Sequence, residues 1–174
     1  LDINKTLEFL ETQTYQKKDY KKNIKYTYNK KTNKKIIAII IVHIFGNAVK
    51  MDKIVRICRK KNIKIIEDSA ESLGVKFKYG KYKSQYTGTV GDIGCLSFNG
   101  NKIITTGGGG MILTNNKSIY DQSKYLINQA KDNSLYYIHN NIGYNYRLNN
   151  INAALGCAQL NKLKFFINKK KKIH

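Results

Sequence analysis

The apolar positions of the chain fall into two patterns, short continuous runs and helical repeats. Ile36–Phe45 and Ile63–Glu67 are nearly continuous apolar runs, which are typical of strands buried in a parallel sheet. The segment between them repeats at helical spacing, and its apolar positions are Met51, Ile54, Val55 and Cys58. The order strand, helix, strand predicts a right-handed parallel crossover. We therefore expect an α/β fold with three layers and a mostly parallel sheet.

Further elements surround this unit. Asn4 is expected to cap a short helix, and the polar, basic, tyrosine-rich segment 13–35 predicts an exposed hairpin. An amphipathic helix is expected over Asn116–Ala130, capped by Asn115 or Asn116. A last helix follows, capped by Asn149 or Asn150 and extending to Leu163, and the basic tail 168–174 is expected to be frayed and solvated.

The stretch Gly91–Gly110 carries the most specific chemistry. It predicts a strand Ile93–Phe98, a polar turn that contains Lys102, a second strand Ile103–Thr106 and then four glycines. A strand at Met111–Thr114 is expected to pair with this second strand. Burial of a lysine penalises its ammonium form and leaves more of the neutral amine, which attacks carbonyls. Lys102 is therefore a candidate nucleophile.

Asp68 closes the second predicted strand. In open α/β sheets, ligands lie outside the carboxyl ends of strands, so an acid here is well placed to meet a cofactor. Spacing alone favours the simpler interpretation, a helix N-cap or a loop carboxylate.

The overall composition limits the kinds of function that the chain can have. The chain has 174 residues and a formal net charge of +21, from 32 Lys+Arg against 11 Asp+Glu. Such a charge raises nucleic-acid binding as an alternative, but the lysines are scattered, and we expect nucleic acid not to be the partner. The run Ile36–Phe45 is too short to span a membrane. The three cysteines lie on predicted apolar faces without CxxC spacing, and His43, His139 and His174 show no metal-ligand spacing. These features favour a reduced, cytoplasmic protein without a metal site.

The pattern Ser-Phe-x-x-x-Lys followed by Ile-Thr-Thr-Gly-x-Gly-Gly resembles the lysine segment of a known enzyme family. That family is the DegT/DnrJ/EryC1/StrS sugar aminotransferases, which use pyridoxal 5'-phosphate (PLP). The resemblance extends over roughly Leu1 to Ile167 and is strongest to enzymes that aminate nucleotide-linked 4-keto sugars for legionaminic-acid-type glycans. It implies part of the large domain of a fold-type I PLP enzyme, L-glutamate as amino donor and a homodimer with a shared active site.

The resemblance also implies roles for individual residues. Lys102 would bind the cofactor aldehyde and shuttle protons, and Asp68 would hold the pyridine nitrogen in its protonated form. Glu71 stands where many members have Gln or His near the cofactor's 3-hydroxyl. Ser97, and Asn145 from the neighbouring subunit, would hold the phosphate.

Two features leave alternatives open. Arg147 is either an anion clamp or, as slightly favoured, a structural ion-pair partner. The family's proteins are longer at both ends, and this chain contains no proline. We therefore expect only the central part of such an enzyme, within which residues 1–174 form a partial PLP-binding domain, and the alternatives include an inactive fragment or a non-catalytic remnant.

Overall fold

The structure is a computed structural model that describes residues 1–133 and 135–173. The chain divides into two compact units, the first spanning Leu1–Leu96 and the second beginning at Ser97. Each unit has its own elements. The α/β class and the mostly parallel main sheet that the sequence predicts are confirmed.

The first unit opens with helix α1 (Ile3–Thr12) and a three-stranded antiparallel sheet. Its strands are β1 (Thr14–Asp19), β2 (Ile24–Asn29) and β3 (Lys35–Ile36). The cap of α1 is Asp2, whose carboxylate accepts a hydrogen bond from Lys5 N at 3.0 Å, so the prediction of Asn4 was wrong by two residues. The hairpin is largely exposed, but Thr27 is fully buried and donates its hydroxyl to Lys61 O at 2.6 Å.

The main sheet of this unit contains three parallel strands, β4 (Ala38–Val42), β5 (Lys64–Asp68) and β6 (Ile93–Ser97), with β5 in the middle. A single strand over Ile36–Phe45 was the wrong prediction. Ile36 pairs with Thr27 in the antiparallel sheet, whereas Ala38 pairs with Lys64 in the parallel one. The chain therefore changes sheet at the exposed Ile37, and a 3-10 turn (Ile44–Gly46) ends the apolar run.

Helix α2 (Asp52–Lys60) supplies most of the core, as its apolar spacing predicts. The side chains that it and Met51 bury are Met51, Ile54, Val55, Ile57 and Cys58. They pack in one cluster with Ile41 of β4 and Ile65 of β5, which fixes both strands. Residues buried to this degree each contribute about 1.5–3 kcal/mol through removal of apolar surface from water.

The second unit contains strand β7 (Gly110–Leu113) and helices α3 (Lys117–Ile127), α4 (Asn150–Leu160) and α5 (Leu163–Ile173). Asn116 and Asn149 cap α3 and α4 through their side-chain oxygens, at 3.1 and 2.8 Å, which agrees with the predicted caps. Helix α3 ends three residues earlier than predicted, because Gln129 and Ala130 adopt positive φ angles. The predicted single last helix is broken at Asn161–Lys162.

Two further expectations for this unit change. The lysines of the basic tail 168–174 belong to helix α5 as far as Ile173, and His174 lies outside the described residues. Cys157, which was expected on an apolar face, is exposed.

Candidate active site

Asp68 is the last residue of the central parallel strand β5. Its Oδ1 accepts a hydrogen bond from Ala70 N at 3.1 Å, and no hydrogen bond reaches its Oδ2 within residues 1–133 and 135–173. Residues 69–72 form a turn and not a helix, so Asp68 is not an N-cap. A half-buried carboxylate with one oxygen fixed and the other unoccupied can accept a proton-bearing group at the edge where parallel sheets bind ligands.

Ser69, the residue after Asp68, is the next polar side chain at this end of the strand. Ser69 is fully buried, and its hydroxyl makes no hydrogen bond among the residues that the structure describes. Buried hydroxyls are normally satisfied, so an exception commonly marks a place where another molecule bonds.

Glu71 lies in the turn that follows β5, and its side chain is exposed. Its Oε2 accepts a hydrogen bond from Phe45 N at 2.8 Å. Phe45 has a φ of 49°, a left-handed conformation that is uncommon outside glycine. Glu71 therefore stabilises the 3-10 turn after β4, and the predicted cofactor contact of Glu71 stays a prediction.

A buried hydrogen-bonded pair of polar side chains includes the residue immediately before Asp68 in the sequence. Glu67 and His43 are both fully buried, and His43 Nε2 lies 2.8 Å from Glu67 Oε2. The Glu67 carboxylate also accepts three backbone hydrogen bonds, from Gly88 N at 2.9 Å, Val90 N at 2.7 Å and Gly91 N at 2.6 Å. One side chain thereby holds the turn that precedes strand β6.

The ionisation of Glu67 follows from this environment. Burial by itself raises the pKa of the Glu67 carboxyl, but the hydrogen bonds from His43 and from the backbone of Gly91, Gly88 and Val90 outweigh burial and lower the pKa below its ordinary 4.5. Glu67 is therefore an anion at neutral pH.

Sequence reasoning missed this pair. The available signal was a conflict of polarity, since a histidine and a glutamate stand at the ends of two apolar strands, where an unpaired charge is costly. Their separation of 24 residues gave no local spacing that would have linked them.

The second unit carries the other predicted site residues. Ser97 ends β6 and is partly buried, with its hydroxyl oxygen 3.4 Å from Asn99 N. Lys102 follows in a tight turn in which its backbone N donates to Asn99 O at 3.0 Å, and its side chain is partly buried.

The expected second strand after Lys102 was a wrong prediction. The segment 103–106 has no strand pairing, and it is fixed instead by hydrogen bonds to Phe98 O from Thr106 N at 2.9 Å and from the Thr105 hydroxyl at 3.0 Å. The loop closes back on the end of β6 because Phe98 N also bonds to Gly109 O, where φ is +86° and a Cβ would meet Leu148. Lys102 is thus presented by a closed loop and not between two strands.

Asn145 lies in an exposed segment beside the end of α3. It forms an antiparallel bridge with Asn128, and its neighbours Tyr144 and Tyr146 bond through their backbone nitrogens to Leu126 O and Ile127 O. The backbone is therefore fixed while the Asn145 side chain is exposed, and its predicted contact with a second subunit stays a prediction. The ion pair expected of Arg147 is not among the interactions of the described residues.

Comparison with known proteins decides the family. The family model described as the DegT/DnrJ/EryC1/StrS aminotransferase family matches residues 15–174. The chain belongs to this family. The aminotransferases of this family use pyridoxal phosphate.

Individual relatives agree with this assignment. The chain is 45% identical over 143 residues to the GDP-perosamine synthase of Escherichia coli O157:H7, which covers 82% of the chain and 38% of that enzyme. It is 35% identical over 145 residues to the UDP-4-amino-4,6-dideoxy-N-acetyl-beta-L-altrosamine transaminase of Campylobacter jejuni subsp. jejuni serotype O:23/36, with 82% and 37% covered. Among solved structures, Helicobacter pylori PseC, an aminotransferase of pseudoaminic acid biosynthesis, matches with a TM-score of 0.64 and 30% identity, covering 74% of the chain and 34% of PseC.

The chain thus spans little more than a third of the length of these relatives. None of the helices among the described residues has the length and apolar character needed to cross a membrane.

Each of the two units, taken by itself, carries groups of the chemical type that PLP requires. Asp68 offers the open carboxylate oxygen that a protonated pyridine nitrogen requires, and Lys102 offers the amine that an aldehyde requires. Ser97 and Asn145 supply a hydroxyl and an amide of the kind that bind phosphate oxygens.

Proposed function

We propose that the protein to which this chain belongs is a PLP-dependent aminotransferase that moves an amino group from L-glutamate to a nucleotide-linked 4-keto sugar during synthesis of a bacterial surface glycan. The family match over residues 15–174 carries this proposal. The relatives named as a GDP-perosamine synthase and a UDP-sugar transaminase support the substrate class. The assignment of PLP as the cofactor is supported by Asp68 at the end of β5, whose Oδ1 is hydrogen-bonded and whose Oδ2 can accept a further donor.

The proposed roles divide among a few residues. The bound cofactor supplies an electron sink that stabilises negative charge on the carbon losing its proton. Lys102 holds the cofactor at rest and then carries protons as a general acid and base. Asp68 keeps the pyridine nitrogen protonated, and Glu71 lies near the 3-hydroxyl. Ser97 and the Asn145 of a second copy bind the phosphate, which makes the working form a homodimer.

Borohydride trapping tests the cofactor step directly. The purified chain is mixed with PLP, reduced with borohydride and digested, and the peptide that carries the cofactor mass is identified by mass spectrometry. We expect the label on Lys102 and its loss in Lys102→Ala. Lys117→Ala is the matched control, because Lys117 is an exposed lysine in the same unit that contacts its helix neighbours Asp121 and Tyr120. Labelling spread over many surface lysines would refute the assignment.

Activity is a separate question, since the chain spans little more than a third of its relatives. We propose that these 174 residues alone are inactive or very weak, because the resemblance assigns part of the phosphate site and a small domain to segments outside them. Incubation with L-glutamate and either a UDP-linked or a GDP-linked 4-keto sugar tests this. Full turnover by the chain alone would contradict this proposal.

A further inference from the structure

The buried pair His43–Glu67 has a proton arrangement that its contacts determine. Val49 N donates a hydrogen bond to His43 Nδ1 at 3.1 Å, so Nδ1 must present its lone pair. The proton of the neutral ring is therefore on Nε2, which donates to Glu67 Oε2 at 2.8 Å. All four contacts to the Glu67 carboxylate are then donors, two on each oxygen.

This pair is connected to Asp68 through two short backbone routes. Glu67 is the residue before Asp68 in strand β5, and the backbone N of His43 donates to Asp68 O at 3.0 Å. The same histidine therefore bonds Asp68 through its backbone and Glu67 through its ring. Rotation of the peptide at the end of β5 would break at least one of these bonds.

The turn on the other side of the pair is fixed in the same way. Gly88, Val90 and Gly91 point their backbone N–H groups at Glu67, and this turn leads into β6, which pairs with β5 through Asp68 and Cys95. The strands on both sides of Asp68, β4 and β6, are thus joined to β5 by one buried carboxylate and one imidazole.

We propose that His43 and Glu67 are positioning residues that orient the Asp68 carboxylate toward the cofactor's pyridine nitrogen. The inference rests on the proposed function, since it assigns these residues a task only if Asp68 binds the cofactor. Neither residue touches the cofactor; each acts through the backbone of Asp68. Their arrangement resembles the way in which partners outside a ligand shell fix the ligands inside it.

The protonation state of the pyridine nitrogen of PLP gives the decisive readout. The full-length protein that contains the wild-type chain is loaded with PLP labelled with 15N in its pyridine ring, and the nitrogen NMR shift reports whether that nitrogen is protonated. We expect the protonated signal in wild type. In Glu67→Gln the amide cannot accept from all four donors, so the signal moves toward unprotonated pyridine and the dissociation constant for PLP rises roughly tenfold or more.

A matched pair at His43 separates orientation from simple folding. His43→Gln can place an amide N–H near the Nε2 position and keep the bond to Glu67, so we expect the protonated signal to be retained. His43→Asn can accept from Val49 N but cannot reach Glu67, so we expect loss of the signal. Thr27→Val is the control, because it removes a buried hydrogen bond of the same unit that lies outside the pair and outside the site residues.

The possible outcomes distinguish failure of the proposed function from failure of the positioning role alone. If the full-length protein that contains this chain takes up no PLP on Lys102, the proposed function fails and this inference fails with it. If wild type binds PLP and His43→Asn keeps the protonated signal, only the positioning role is overturned. If Glu67→Gln does not fold, the His43 pair still decides, because it removes at most one of four donors. Faster amide exchange at Gly88 and Gly91 in His43→Asn, measured without cofactor, is the expected accompanying change.

Discussion

Replacement of Gly94 by alanine is the most direct test of how the strand ends are packed. Gly94 lies in β6 opposite Glu67. A Cβ at this position would lie 2.7 Å from the carbonyl carbon and 2.8 Å from the Cα of Gly88, and closer still to its carbonyl oxygen. These atoms are backbone and cannot rotate away, so the turn before β6 must move. That movement would pull Gly88 N away from Glu67 Oε2, which it now meets at 2.9 Å.

The size of the effect follows from two contributions. Overpacking of a close contact costs about 1–3 kcal/mol, and weakening a hydrogen bond to a charged acceptor costs about 1.5–3 kcal/mol. We therefore expect Gly94→Ala to lower the free energy of unfolding by about 2.5–6 kcal/mol, a large part of the roughly 5–15 kcal/mol of a typical domain.

Urea unfolding followed by circular dichroism measures this change. Gly100→Ala is the matched control, because a Cβ there would meet nothing within 4 Å and the backbone does not have a positive φ. The control should stay within about 0.5 kcal/mol of wild type. Equal midpoints for Gly94→Ala and wild type would show that the close approach of β6 to the Gly88 turn is not a feature of the folded protein.

Three further predictions concern other parts of the chain. The pKa of Glu67 is lowered in the folded state, so its contribution to stability is present above pH 4.5 and is lost as the pH falls through the folded pKa; Glu67→Gln should show a flatter acid-unfolding curve, and an unchanged slope would contradict this. Burial, with a smaller contribution from Asp92, raises the pKa of the Cys58 thiol to about 11, so a thiol reagent at neutral pH should modify the exposed Cys157 rapidly and Cys58 only after unfolding. Asn149→Ala should cost about 1 kcal/mol by removing the cap of α4, as seen in thermal unfolding, whereas Asn149→Asp should cost little.

The sequence predicted the elements whose signals are local. The apolar spacing of α2 and the asparagine caps of α3 and α4 depend on residues within one or two turns, and the structure agrees with them. The break at Ile37 depends on which of two sheets accepts each neighbouring residue, and an apolar run does not record that choice. The prediction of a strand after Lys102 was wrong for a related reason, since the β-branched residues of that segment bond to Phe98 and not to a partner strand.

The residues of the candidate site also divide into those with a local sequence signal and those without one. Asp68 could be placed from the sequence because it closes a strand, and the family motif singled out Lys102. His43 and Glu67, the partners that fix Asp68, could not be predicted. Their contact joins the ends of two strands through side chains that are 24 residues apart in the sequence.

The choice of a carboxylate at position 67 has a physical reason that also limits what could replace it. Burial of a charged carboxylate is costly unless hydrogen bonds compensate for the lost water. Here, however, an apolar side chain would leave three inward-facing backbone N–H groups, of Gly88, Val90 and Gly91, without acceptors. Each orphaned group would cost about 1–3 kcal/mol, which exceeds what the added apolar contact returns. An anion is therefore required at position 67, where the turn before β6 meets β5. The same contacts prevent the backbone that carries the neighbouring Asp68 carboxylate from shifting.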